Sequence, residues 1–260
     1  MKAGVMVQSV ERAIQILRCF TQEKPELRLK EIAEQLDLNK STVHGLLNTL
    51  KQYGFLLQNE ETQKYRLGWA VIEMGSRLLG SMDLRNVASP FIQELCAETG
   101  ETIHLVVLEG TDVVYIDKRE SNQSIRLFTS IGTRYPAYAT GVGKAMLAHV
   151  APELLANHLP DVLERLTPMT ITDKETINQY LEKVRHLGYA IDDEENLAGL
   201  SCVAAPIFDH THKVTAAVSV AGPSNRVTKE RMSNLAEAVM AAARNISAQL
   251  GCRNYRGRSI

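Results

Sequence analysis

Three short amphipathic patterns packed into residues 8–54 constrain this chain more than any other feature. Apolar residues recur at helical spacing in Val10, Ala13, Ile14 and Leu17, in Leu29, Ile32, Ala33 and Leu36, and in Val43, Leu46, Leu47 and Leu50. Ser9 and Asn39 are candidate N-caps of the first and third helices, and Gly54 is a natural stop for the third. Only Asp37, Leu38 and Asn39 separate the second pattern from the third, so these two helices must meet at a tight turn. Residues 55–57 and 64–67 suit strands, with the polar stretch 59–62 as the turn between them. Helices of this length cannot bury their stripes alone and must pack against one another and the hairpin.

This order of elements predicts a winged helix-turn-helix, whose second motif helix enters a major groove. With Val43, Leu46, Leu47 and Leu50 facing inward, the third helix presents Ser41, His44, Gly45, Asn48 and Gln52 on its other side. Lys40 and Lys51 flank that face, and no acid occurs between Asn39 and Gln58, so phosphates can approach it. Asn48 can offer a donor and an acceptor to adenine, His44 can donate to guanine, and Ser41 or Thr42 can bond bases or phosphates. Alternation along the hairpin puts Lys64 and Arg66 on the face opposite Tyr65 and Leu67, as phosphate contacts of a wing. Double-stranded operator DNA is the expected partner. Two readings stay open: Asn39 and Thr42 also suit capping, and the same module can bind a protein partner.

Net charge bears on this directly. The 260 residues carry a formal charge of -1, so any nucleic-acid surface is a local patch. Residues 1–68 hold ten Lys/Arg against eight Asp/Glu, and the remainder nineteen against twenty-two, which leaves a mild positive excess at the N-terminus. Cys19, Cys96, Cys202 and Cys252 are scattered without a CxxC pair, against a disulfide framework or zinc ribbon and consistent with a reducing compartment. No apolar run reaches the roughly eighteen residues of a membrane span, and the expected location is the cytoplasm.

After an apolar-rich helix at 69–82, the pattern changes beyond Asp83. A helix at 84–99 precedes strand-like runs at 102–108, 113–117 and 125–129, whose short intervals suit an antiparallel sheet. Helical patterns follow near 142–149, 152–158 and 173–187, then strands near 189–192, 202–208 and 214–221, and a last helix at 228–250. The whole reads as α+β, with residues 1–68 as the DNA-binding domain, 69–83 as a linker helix, 84–252 as a sensor domain and 253–260 as a basic tail. Enzyme chemistry finds no support. Gly141-Val-Gly143-Lys144-Ala145 looks like a nucleotide loop, but Ala145 replaces the metal-binding Ser/Thr, and Met146 breaks a GxGxxG match. No GxSxG or HExxH occurs, and His210 and His212 sit in a polar turn, so no catalysis, cofactor or metal is expected.

Several stretches in fixed order resemble the isocitrate lyase regulator (IclR) family. They are Val7-Gln-Ser-Val-Glu-Arg-Ala13 through Leu17, Leu29-Lys-Glu-Ile-Ala33, Lys40-Ser-Thr-Val-His44 and Tyr65-Arg-Leu-Gly68 in the first part. In the second they are Thr102-Ile-His-Leu105, Val114-Tyr-Ile-Asp117, Pro136 through Ala145, and Asp192 through Ile207. The resemblance implies a winged helix-turn-helix, a linker helix used in dimerisation, a GAF/profilin-like effector domain, and homodimers or homotetramers on operator DNA. It also implies an effector pocket built from Gly141, Val142, Asp192, Cys202 and Ser219, with Leu127 as a wall. Relatives often carry a second serine where this chain has Ala221, and a polar or acidic residue where it has Leu197. A keto acid or sugar acid of carbohydrate catabolism, such as 2-keto-3-deoxygluconate, is the expected effector. A glycine-bounded turn entering a helix at Gly143 can aim N–H groups at an anion, while Asp192 and Ser219 bind hydroxyls. Open beside this are Cys202 as a small buried apolar residue, Gly141 and Gly143 as turn formers, and 192–195 as a solvated loop.

Overall fold

Apolar stripes that no single short helix can hide organise the N-terminal unit. The computed structural model describes residues 6–21, 23–80, 83–123 and 129–252, and the chain divides into two compact units, Met1–Ser81 and Met82–Ile260. In the first, α1 (Gln8–Arg18), α2 (Leu29–Gln35) and α3 (Lys40–Gln52) are followed by the hairpin β1 (Leu56–Gln58) and β2 (Tyr65–Leu67) and by α4 (Trp69–Gly80). Ile16, Phe20, Leu27, Ile32, Val43, Leu47, Leu50, Leu56 and Tyr65 form the core shared by α1, α2, α3 and the hairpin.

Local chemistry sets the boundaries. The helix α1 starts at Gln8 with Val7 in the cap position, so Ser9 lies inside it and is not the cap expected from the sequence. Its inward face is Ala13, Ile16 and Leu17, while Val10 and Ile14 stand exposed, which rotates the expected stripe. At the start of α2 the Glu31 carboxylate accepts the Arg28 N–H at 2.6 Å. Asp37, at a left-handed φ of 51°, turns the chain from α2 into α3. Asn39 occupies the N-cap position of α3 but makes no side-chain capping bond. Gly54 takes φ 73° and breaks the helix, and its carbonyl would lie 2.1 Å from any Cβ placed on Gly68, so the crossing there requires glycine. The hairpin pairs Leu56 with Leu67 and Gln58 with Tyr65, and Leu27 bridges the other edge of Tyr65.

The second unit contains α5 (Asp83–Thr99), β3 (Thr102–Glu109), β4 (Asp112–Arg119), β5 (Arg134–Pro136), α6 (Gly141–Leu147), α7 (Pro152–Leu155), α8 (Lys174–Leu187), β6 (Ala190–Asp193), β7 (Leu200–Phe208), β8 (Val214–Pro223) and α9 (Lys229–Gln249). Its six-stranded sheet runs β5-β4-β3-β8-β7-β6 with every pair antiparallel. The α+β class expected from the sequence is the class observed. Of the expected strand at 125–129, residues 125–128 lie outside the described residues and Thr129 belongs to no strand, and the tail at 253–260 also lies outside them. The three-residue β5 had no sequence signal.

Side-chain alternation gives the sheet two different faces. Ile103, Leu105, Val203, Ala205, Ile207, Val218 and Val220 pack with Ile92, Leu235, Val239 and Ile246 from α5 and α9. On the other face β7 and β8 present mainly small residues, Cys202, Ala204, Ala217, Ser219 and Ala221. There α6 and α8 pack through Met146, Leu147, Ile177 and Leu181. Large side chains hold the α5/α9 face shut, whereas small ones leave volume on the α6 side.

Candidate functional site

On α3 the residues that the apolar stripe does not use are turned to solvent. Val43, Leu47 and Leu50 are buried, while Lys40, Ser41, His44, Gly45, Asn48 and Lys51 are exposed and Thr42 is half-buried. One helical turn brings Asn48 Nδ2 to 3.4 Å from His44 Nδ1. Lys51 Nζ donates to Gln58 Oε1 at 3.1 Å, and Gln58 Nε2 donates to Gln63 Oε1 at 3.0 Å, which ties the end of α3 to the hairpin. Nothing stands within 4 Å of a Cβ built on Gly45. The hairpin cations are in different company. Lys64, half-buried, shares a groove with Glu23, Lys24, Glu26, Glu31 and Glu34, and Arg66 lines a second groove with Glu26.

In the second unit a cavity of about 290 Å³ lies over the small-residue face of the sheet. Strand register explains who lines it. Asp192 of β6 faces Cys202 of β7, which faces Ala221 of β8; in the neighbouring row Ala204 faces Ser219, which faces His104 of β3. Asp192, Cys202, Ser219, Ala221 and His104 all border the cavity, joined by Tyr115, Tyr135, Thr129 and Thr140, while Asn196 and Leu197 border it from the loop after β6. Three of the residues proposed from the sequence are thus brought together. Gly141 and Val142 are buried behind them: a Cβ on Gly141 would lie 2.7 Å from Cys202 Sγ, and Val142 belongs to the core around α6. Leu127 lies outside the described residues. His104, Tyr115, Thr129, Tyr135 and Asn196 carry no local signal for the site: strand pairing brings His104, Tyr115 and Tyr135 into one place, and Thr129 and Asn196 reach it from loops.

The polar groups are held with little freedom. Asp192, 2% exposed, accepts the N–H groups of Glu195 at 2.7 Å and Asn196 at 3.4 Å through Oδ1. Burial pushes its carboxyl up to about 7, with Lys144 working in the opposite direction and Glu195 reinforcing the rise. Lys144 of α6 is fully buried, pairs with Glu195, and lies 4.6 Å from the centre of the Tyr180 ring. The Tyr180 hydroxyl accepts the Ile191 N–H at 3.0 Å and donates to the Ile191 carbonyl at 3.1 Å. Thr167 donates to the Glu194 carbonyl and Thr170 to the Glu195 carbonyl, both at 2.6 Å. Residues 192–195 are therefore a fixed wall, with Asp192 and Glu195 buried, and not a solvated loop.

Burial also drives the His104 imidazole down to about 3, so it is neutral, with Nε2 2.7 Å from Thr129 Oγ1. Cys202, pushed up by burial, stays a thiol and serves as a small wall residue. At the start of α6 the Gly143 N–H goes to Thr140 Oγ1 at 3.1 Å and the Lys144 N–H to the Thr140 carbonyl at 2.9 Å. The N–H groups expected to point at an anion from Gly143 onward are thus already satisfied. Gly143 serves packing instead, because a Cβ there would sit 2.1 Å from the Ala137 carbonyl oxygen. Among the described residues no group of three His, Cys, Asp or Glu is placed to hold a metal, and no helix is long and apolar enough to cross a membrane. His210 and His212 are exposed in the turn between β7 and β8.

Comparison with known proteins places both parts of the chain in one family. Residues 9–60 match the family described as IclR helix-turn-helix domain, and residues 76–248 match that described as bacterial transcriptional regulator IclR C-terminal. The HTH-type transcriptional regulator XynR of Escherichia coli (strain K12) is 38% identical, covering 95% of this chain and 98% of that protein. The crystal structure of Thermotoga maritima IclR superposes with a TM-score of 0.78 at 34% identity, over 94% of this chain and 99% of that one. An IclR homolog from Microbacterium hydrocarbonoxydans, solved in complex with 4-hydroxybenzoate, gives a TM-score of 0.82 at 26% identity, over 93% and 98%. The chain therefore belongs to the IclR family of bacterial helix-turn-helix transcriptional regulators.

Proposed function

We propose that this regulator reads operator DNA through α3 and is controlled by a keto acid or sugar acid bound over the sheet of its second unit. Residues 1–68 form the DNA-binding domain, 69–83 the linker helix and 84–252 the effector domain, and the protein acts in the cytoplasm as a homodimer or homotetramer. The observation that carries the first half is the α3 surface: a polar face with Lys40 and Lys51 at its ends, no acid between them, and its apolar stripe buried. Lys40, Ser41, Thr42, His44, Asn48 and Lys51 contact the duplex, with Asn48 reading a base and the lysines meeting phosphates. Lys64 and Arg66 contribute from the hairpin, Lys64 less than the α3 lysines because it is half-buried, in a groove whose other lining residues include four glutamates and Lys24.

Support for the effector comes from the cavity, whose size suits a small metabolite and whose Asp192 and Ser219 suit hydroxyl groups. A related regulator holds 4-hydroxybenzoate, itself a carboxylate. Support for self-association comes from exposed apolar residues on two helices of the first unit, Val10 and Ile14 on α1 and Trp69, Ile72 and Met74 on α4. An effector changes DNA binding only if it prefers one arrangement of the DNA-binding domains over another. Two measurements test the proposal. Fluorescence anisotropy with candidate operators is expected to show salt-sensitive, sequence-selective binding, and equal affinity for random duplex at every salt concentration would reject it. A thermal-shift screen of keto and sugar acids is expected to give a ligand that also alters operator affinity.

A further inference from the structure

The cavity has two polar ends. Strand order places β6 and β3 three intervals apart and the register offsets the two positions by two residues, so Asp192 and His104 start from backbones about 16 Å from each other. Between them lie Cys202 and Ala221 in one row and Ser219 in the next, a floor of small side chains. At the β3 end His104 Nε2 and Thr129 Oγ1 share one hydrogen bond at 2.7 Å. Whichever group donates, the pair keeps one donor: the threonine O–H if the imidazole gives its proton, or Nδ1–H if the threonine does. The ring is fixed edge-on against Tyr115 at 4.9 Å. Lys118 stands opposite His104 in β4 and donates to the Thr129 carbonyl at 2.8 Å. Its ammonium also pairs with Glu120, which is half exposed, whereas the Asp192 end has two buried carboxylates against one ammonium. The His104 end is thus the more electropositive of the two.

We infer that His104 and Thr129 form a second anchor of the effector site, facing a terminal carboxylate, while Asp192 holds hydroxyls at the opposite end. The site then selects a linear acid of about five or six carbons, because a two- or three-carbon acid with hydrogen bonds of about 2.8 Å cannot span both anchors. This rests on the reading of the cavity as the effector site.

Isothermal titration calorimetry on the full-length protein tests it with four probes: D-gluconate and 2-keto-3-deoxy-D-gluconate as long acids, D-glycerate and glyoxylate as short ones. At least one long acid is expected to bind the wild type at least tenfold more tightly than either short acid. His104→Leu and Thr129→Val should each weaken that long acid by about tenfold, the worth of one hydrogen bond to a charged group. His104→Gln, whose amide reaches the Nε2 position, should keep affinity within about threefold. Melting of each unliganded variant shows whether it is folded, and Thr129→Val stands in should His104→Leu fail to fold. Wild-type affinity for the long acid in a folded His104→Leu or Thr129→Val would overturn the second anchor and leave the effector site standing. Equal affinity for long and short acids would overturn the length selection. If no probe binds the wild type, the effector reading falls and takes this inference with it.

Discussion

Lys144 and Glu195 pair inside the second unit, the ammonium fully buried and the second carboxylate oxygen, Oε2, left without a hydrogen bond. The pair joins α6 to the segment that carries Asp192 and Asn196, so it fixes one wall of the effector cavity from behind. Glu195 and Asp192 are two carboxyl groups beside one ammonium, and burial raises the pKa of both.

Removing only the cation should therefore be costly. Lys144→Met leaves Glu195 buried without its partner, and a loss of about 3–5 kcal/mol in urea unfolding is expected. Replacing both partners, Lys144→Met with Glu195→Leu, should recover most of that loss, since an apolar pair of similar volume needs no charge compensation. A double variant no more stable than Lys144→Met alone would show that the pair is not what holds this wall.

Asp192 and His104 should give opposite pH signatures. The Asp192 carboxyl, raised from 3.8 to about 7, binds its proton more tightly folded than unfolded. Its contribution is complete below pH 3.8 and is lost as pH rises towards 7, by about 1.4 kcal/mol per pH unit. The His104 imidazole, lowered from 6.5 to about 3, must give up its proton to fold, so its contribution is lost as pH falls below 6.5. Unfolding free energies at pH 5, 6 and 7 check this. The stability gap between wild type and Asp192→Asn should widen in favour of the wild type towards acid, while that for His104→Gln should move the other way. Parallel curves for all three proteins would refute both assignments.

What could be seen in the sequence depended on whether a signal was local. Val43, Leu47 and Leu50 repeat at helical spacing, and all three are buried in α3 as that spacing requires. The α1 stripe misled because the helix has apolar residues on two sides. Spacing alone cannot show that Ile16 goes inward and Val10 outward. Asp192, Cys202 and Ser219 were legible through family likeness, whereas His104 and Tyr115 reach the same cavity only through the pairing of β3, β4 and β8. Lys144 stands out in the sequence only within a nucleotide-loop likeness that fails. Its burial depends on Glu195 and Tyr180, 51 and 36 positions away in the chain.

Base reading and phosphate binding should separate by substitution. Asn48→Ala should relax preference at one base pair, a change of about 1–3 kcal/mol between the preferred base and its competitors. Lys40→Ala should weaken all sequences alike and lower the slope of log affinity against log salt by about one. Lys64→Ala should act evenly too, but by less, because Lys64 is half-buried where Lys40 is exposed. Anisotropy titrations over a library of single-base operator variants distinguish these outcomes, and an unchanged preference profile for Asn48→Ala removes that residue from the reading set.

Gly45 offers a test in which stability and DNA affinity should move in opposite directions. It sits inside α3 on the exposed face, and no atom lies within 4 Å of where a Cβ would be. On folding grounds glycine is therefore a poor choice, and Gly45→Ala should stabilise the helix by up to about 1 kcal/mol. A glycine kept there at that cost is explained if the helix backbone must come close to the duplex, where an added methyl would push it away. The expected result is a higher urea midpoint for the first unit together with weaker operator binding. If Gly45→Ala raises the midpoint and binds the operator as tightly as the wild type, close backbone approach is not the reason for this glycine.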